Sequence, residues 1–253
     1  MAEMIFYERP VALNRERHRN LKLRPQADGQ FNFARHTNSV LMAAAEIEEA
    51  IKDYPVVFVP AGEGHYVLAG LLGLRDQENL FVDAAGNWRV NTYLPAFVRR
   101  YPFVLAEGGD GQLTVCVDES YPGLNESEGE ALFADDGTDT PLLAGAVDFL
   151  KRFHIEMRRT REFTDRLAAL DLLVPKTIQV NRGGKQEVLE GLYIVDEQKL
   201  RGLGDAQSLE LLRSGYLFWI YAHLCSLGNV ERLARMEASA GGKVAKAAKG
   251  KKK

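Results

Sequence analysis

Two stretches, Val56-Val57-Phe58-Val59 and Tyr66-Val67-Leu68-Ala69-Gly70-Leu71-Leu72-Gly73-Leu74, decide how this chain reads. Both are short continuous apolar runs, and the first is bracketed by Pro55 and Pro60. Runs of this kind, bounded by turn residues, are expected to be buried strands. Before them, Leu21-Lys22-Leu23 alternates like a short strand. Ala43–Lys52 is rich in strong helix formers and stops before Tyr54-Pro55, where proline disfavours a helical predecessor. After them, Asn79–Val82 reads as a third strand, and Asp83-Ala84-Ala85-Gly86 as a turn leading to Trp88.

Further along, Tyr93–Arg100 predicts a short helix with Pro95 in its first turn, ended by Tyr101-Pro102. Phe103–Leu105 and Leu113–Val117 predict a hairpin across Glu107–Gly111. Residues 119–140 are acidic and loop-rich, with one helical turn expected at Glu130–Phe133. A helix is expected from Thr140-Pro141 to about Leu173, broken midway, on the stripe Leu143, Val147, Leu150, Phe153, Phe163 and Leu167. Lys176–Val180 and Glu187–Val195 flank Gly183-Gly184, a hairpin signal. Asp196–Leu200 and Asp205–Arg213 read as short helices, with Asp205 as an N-cap, and Gly215–Met236 as a last long helix that Gly228 interrupts. Strands gather in the first half and helices in the second. That segregation predicts an α+β fold with an antiparallel sheet. The expected organisation is one domain over 1–238, which could divide near residue 140, and a disordered lysine-rich tail over 239–253.

At 253 residues and 46% hydrophobic content, the chain can bury a substantial core. Its formal charge of −3 conceals an asymmetry. Six of the 32 basic residues are lysines among the last eleven positions, which hold no acid. Residues 1–242 therefore carry 26 basic side chains against 35 acidic ones, a formal −9. An acidic body repels phosphate backbones, so contact with nucleic acid is expected from the tail alone, if anywhere. The first ten residues lack the basic and apolar regions of a secretory signal, and no stretch reaches the length of an apolar membrane span. The expectation is a soluble cytoplasmic protein, with a signal-less export route still open.

The chemistry-bearing motifs are sparse. Gly62-Glu63-Gly64 and Gly70-Leu71-Leu72-Gly73 lack the spacing and helix context of a phosphate loop and read as turn glycines. Asp135-Asp136-Gly137-Thr138-Asp139 lacks the closing acid of a calcium loop. No two of the five histidines, His18, His36, His65, His154 and His223, sit four residues apart, and no metal or cofactor is expected. Cys116 and Cys225 read as buried and inert, and Phe218, Trp219 and Tyr221 as core.

The densest segment runs from Asn79 through Trp88 to Phe103. Trp88, Tyr93, Arg99, Arg100 and Tyr101 combine aromatic rings with adjacent arginines, the residue types that anchor ligand and protein interfaces. Consecutive helical positions point about 100° apart, so one arginine is expected inside and the other outward. Such density equally suits a packing hub.

This segment resembles the signature of the SapC family of bacterial proteins. So do His18–Lys22, Glu46, Tyr54–Phe58, Gly129–Phe133 and Tyr221–Asn229, giving a resemblance over roughly residues 5–236. The resemblance implies surface-layer, uptake or modification settings and carries over no catalytic residue. The expected function is therefore a non-catalytic binding or accessory protein of a bacterial envelope, uptake or modification system, with a protein partner. One alternative is an enzyme whose site gathers His18, Glu46, Asn79 and Arg99. A second is a surface-layer component.

Overall fold

The computed structural model describes residues 4–26, 28–109, 111–182 and 185–250. The buried runs do form strands. β4 (Val56–Pro60) and β5 (Tyr66–Leu71) pair antiparallel, from Val56 opposite Gly70 to Pro60 opposite Tyr66. β3 (Ser39–Leu41) flanks β5 on one side. On the other, the long hairpin β10 (Leu173–Arg182) and β11 (Lys185–Val195) joins through Tyr193 opposite Phe58. The result is a five-stranded antiparallel sheet in the order β10-β11-β4-β5-β3. Gly183 and Gly184, the expected turn of the hairpin, lie outside the described residues.

Two smaller sheets accompany it. β1 (Pro10–Ala12), β7 (Leu113–Asp118) and β6 (Phe103–Glu107) form one, in that order. β8 (Leu124–Asn125), β2 (Lys22–Leu23) and β9 (Glu130–Ala131) form the other. The short helices α1 (Ile47–Ala50) and α2 (Ala96–Arg99) lie in the first half. The second half holds α3 (Pro141–Ala169), α4 (Glu197–Arg201), α5 (Asp205–Arg213), α6 (Tyr216–Ser226) and α7 (Asn229–Gly250). The fold is α+β, as the segregation of strands and helices predicts.

α3 is the girder. Thr140 caps it, its hydroxyl accepting from the Leu143 N–H, and Pro141 takes the first helical position, where its missing donor costs nothing. Its 29 residues run unbroken for about 43 Å rather than kinking midway. Leu143 and Leu150 enter a small core with Phe103, Val117, Leu132 and Phe133. Phe153, Phe163 and Leu167 enter the main core, which contains Phe58, Leu68, Phe81, Phe97, Trp219 and Ile220.

Several local expectations are corrected. Asn79–Val82 is not a ladder strand. The Asn79 side chain donates to Ala34 O and accepts from Phe81 N, satisfying the backbone locally, and only an isolated bridge joins Val82 to Trp88. Glu130–Phe133 is not a helical turn; Glu130 and Ala131 pair with Leu23 and Lys22, a partner that local sequence cannot reveal. Gly204 rather than Asp205 is the N-cap of α5. On α6, Trp219 is buried, but Phe218 (56% exposed) and Tyr221 (43%) face solvent, because the helix is apolar all round and only one side meets the sheet. Cys225 is likewise exposed and Cys116 half-buried, both as free thiols. Apart from these corrections, α7 runs from Asn229 to Gly250, through residues rich in alanine and lysine, both strong helix formers. Lys251–Lys253 lie outside the described residues.

Candidate functional site

The aromatic–arginine segment folds mainly inward. The Trp88 indole N–H donates to Tyr93 O, and its ring stacks on Phe81 and meets Phe31 edge-on. Asp53 accepts from Tyr93 N, and the Tyr54 hydroxyl donates to Tyr93 O. Tyr101 packs among Phe6, Tyr7, Phe33 and Tyr121, and its hydroxyl donates to Asp118. Arg100 is buried, 6% exposed, with its guanidinium 4.2 Å from the Phe97 ring centre and 5.2 Å from that of Phe153. Arg99 is the outward member, lying over Phe149 at 4.8 Å. Four of the five candidate residues thus brace a ring-packed hub, and Arg99 faces out.

The dispersed quartet is only half assembled. Glu46 is buried. Its Oε1 accepts from the Tyr93 hydroxyl (2.9 Å) and Ala96 N (2.7 Å), and its Oε2 from Ala43 N (2.9 Å). Burial pushes its carboxyl above the usual range, while these donors and the nearby Arg99 charge pull it down less strongly. His18 sits elsewhere, accepting from Asn14 N at Nδ1, so that Nε2 donates to Glu119 at 3.2 Å. Among the described residues no hydrogen bond or ion pair links His18 or Asn79 to Glu46 or Arg99. His223, fully buried, clamps α6 to the sheet: Nδ1–H donates to Val56 O at 2.7 Å, and Nε2 accepts from Val195 N at 3.2 Å. Burial holds it neutral, with its pKa lowered to about 4.

A concave site lies elsewhere. A cleft of about 790 Å³ opens between α3 and the sheet face made by β3, β4 and β5, within the size range of small-molecule sites. The sheet supplies Ser39, Leu41, Val59, Tyr66, Val67 and Ala69. The helix supplies His154, Met157, Arg158, Arg161, Thr164 and Asp165. Their spacing follows the 3.6-residue turn, so they share one face, while Phe153, Phe163 and Leu167 point into the core. His154 and Asp165 lie eleven residues apart, about 16 Å along the axis.

Two contacts fix the gap. The Thr160 hydroxyl accepts from Ala44 N at 2.7 Å and donates to Glu156 O, seating α3 against the chain before α1. His65, in the turn after β4, meets Asp165 through Nδ1 at 2.9 Å. Asp165 also faces Arg161 Nε at 3.9 Å. Arg158 is exposed, and neither it nor His154 enters an ion pair among the described residues. The cleft therefore combines apolar walls, a histidine–aspartate pair and an arginine with no carboxylate of its own. The sequence signal was the repeat of chargeable groups at His154, Arg158, Arg161 and Asp165 on one face of a helix. The strands facing them are distant in the chain.

Among the described residues no helix is long and apolar enough to cross a membrane. No curated protein and no solved structure matches the chain. The SapC family model does match, over residues 13–233, which takes in the hub, the cleft and both cores apart from Ile5, Phe6 and Tyr7. The chain belongs to the SapC family.

Proposed function

We propose that this protein is a non-catalytic binding protein that holds a small molecule in the cleft under α3 and serves an envelope, uptake or modification system. One observation carries the reading: a hollow of ligand size whose apolar walls meet a row of ionisable side chains on a single helix face. The exposed Arg99, over Phe149, is the candidate contact for a protein partner, because the other hub residues are committed to packing. Family membership supports the accessory setting and is neutral on the ligand. The surface-layer role ranks below it, since a cleft serves capture better than lattice assembly. The test is a thermal-shift screen of chemically diverse small molecules on the full chain and on Ser39→Trp, which fills the cleft from the half-buried edge strand. Compounds that stabilise the wild type should lose their effect in the variant. A screen with no stabiliser, or equal stabilisation of both proteins, rejects the cleft.

A second reading, catalysis, draws on the His65–Asp165 pair. An aspartate that accepts from Nδ1–H leaves Nε2 free to take a proton from a bound water. Turnover of an ester that His65→Ala abolishes would favour it. Unchanged turnover in that variant would remove it.

A further inference from the structure

The charges around the cleft identify the kind of molecule it takes. Four fixed charges line it: Arg158, Arg161, Glu107 and Asp165. Arg161 is shared with Asp165, which also holds His65. Arg158 is left as the arginine whose fork has no carboxylate among the described residues. It lies four residues after His154 and seven before Asp165, near the middle of the helix face. The same cleft is lined by Leu41, Val59, Tyr66 and Met157, which give it an apolar wall.

We infer that the cleft binds a monocarboxylate with a hydrocarbon body, its carboxylate on Arg158 and its chain along the apolar wall. The inference rests on the binding reading above. A planar guanidinium meets a carboxylate through two parallel N–H···O bonds. One arginine without a carboxylate matches one negative charge, and Glu107, on β6 and likewise without an ion pair among the described residues, leaves room for one such charge and not two. A phosphate dianion would bring a second charge towards Glu107 and Asp165, so it fits less well. A neutral alcohol would leave Arg158 without a counter-charge, and a cationic amphiphile would face it directly.

Calorimetric titration of the full chain with dodecanoate, dodecanol, dodecyl phosphate and dodecyltrimethylammonium separates these cases. Dodecanoate should bind most tightly. Arg158→Gln should weaken it about threefold to tenfold, the scale of one bidentate contact at an exposed site, while leaving the weaker dodecanol binding unchanged. Ser39→Trp should abolish both. If dodecanol or the ammonium compound binds as tightly as dodecanoate and Ser39→Trp removes it, the carboxylate assignment falls while the cleft survives. If dodecanoate binds with the same affinity to wild type and Arg158→Gln, the assignment falls too. If none of the four binds, the assignment falls, and the broader screen decides the cleft.

Discussion

The node around Glu46 and the cleft around Arg158 use the same currency of acids, arginines and aromatic rings to opposite ends. Glu46 lies out of water and receives three hydrogen bonds, from Tyr93, Ala96 and Ala43. Arg158 lies in water and has no carboxylate partner among the described residues. The first arrangement locks one geometry, because a buried carboxylate is tolerable only when its lone pairs are matched. The second leaves charge available to something that arrives from outside. Residue type and local density do not separate the two cases. Satisfaction does.

The comparison is broken most directly at Glu46. Glu46→Ala would leave two backbone N–H groups and the Tyr93 hydroxyl without their acceptor. At one to three kcal/mol for each stranded group, with partial relief from entering water, the loss is roughly 4 kcal/mol. Urea unfolding measures it. A loss below about 1 kcal/mol would mean that the node is solvated and that its contrast with the cleft is false.

Next in size is a dependence on pH carried by His223 in the main core. The unfolded His223 imidazole takes a proton near 6.5, the folded one only near 4, because burial disfavours the cation more than the Val56 carbonyl favours it. In this window the unfolded chain binds more protons than the folded one. Stability is therefore full above about 6.5 and falls as pH drops towards about 4, by about 3 kcal/mol across the window. Urea unfolding at a series of pH values should show this slope. His223→Asn should be less stable at neutral pH and lose most of the slope. A slope that persists in the variant would assign it to other groups.

Much of this architecture is written in local pattern, and the exceptions have physical causes. Val56–Val59, the Phe103–Leu105 hairpin and the long helix from Pro141 were legible because each is fixed by its own periodicity and turn residues. Asn79–Val82 was misread because an asparagine side chain can replace a ladder partner. Glu130–Ala131 was misread because its partner, β2, lies about a hundred residues away. Phe218 and Tyr221 were assigned to the core because a helix apolar on every side does not announce which side is covered. Trp88, Tyr93 and Arg100 were visible as a dense cluster, and the alternative of a packing hub describes where they sit. The cleft was missed: its ionisable row is local to α3, but the apolar wall that makes the row a site comes from strands at 39–69.

The His65–Asp165 pair tests the same contrast at smaller scale. Both side chains are substantially exposed, 51% and 41%, and the pair bridges a turn to α3. Exposed ion pairs contribute little, so His65→Ala should cost less than about 1 kcal/mol in urea unfolding. A cost approaching that of Glu46→Ala would make the turn part of the rigid frame rather than the rim of a cleft.

The smallest expected effect is the most discriminating. Arg158→Gln removes an exposed charge that enters no ion pair among the described residues, so its unfolding free energy should stay within about 0.5 kcal/mol of wild type. An arginine kept for structure would behave differently, since removing it would strand an acid or uncover the hydrocarbon its stem protects. Unfolding of the ligand-free variant therefore separates the two roles without any assumption about what the cleft binds. A stability loss of 2 kcal/mol or more, on the scale of a broken buried contact, would place Arg158 with Glu46 in the frame. An unchanged midpoint places the arginine outside the frame, as for other exposed side chains, and leaves it available to a molecule from outside.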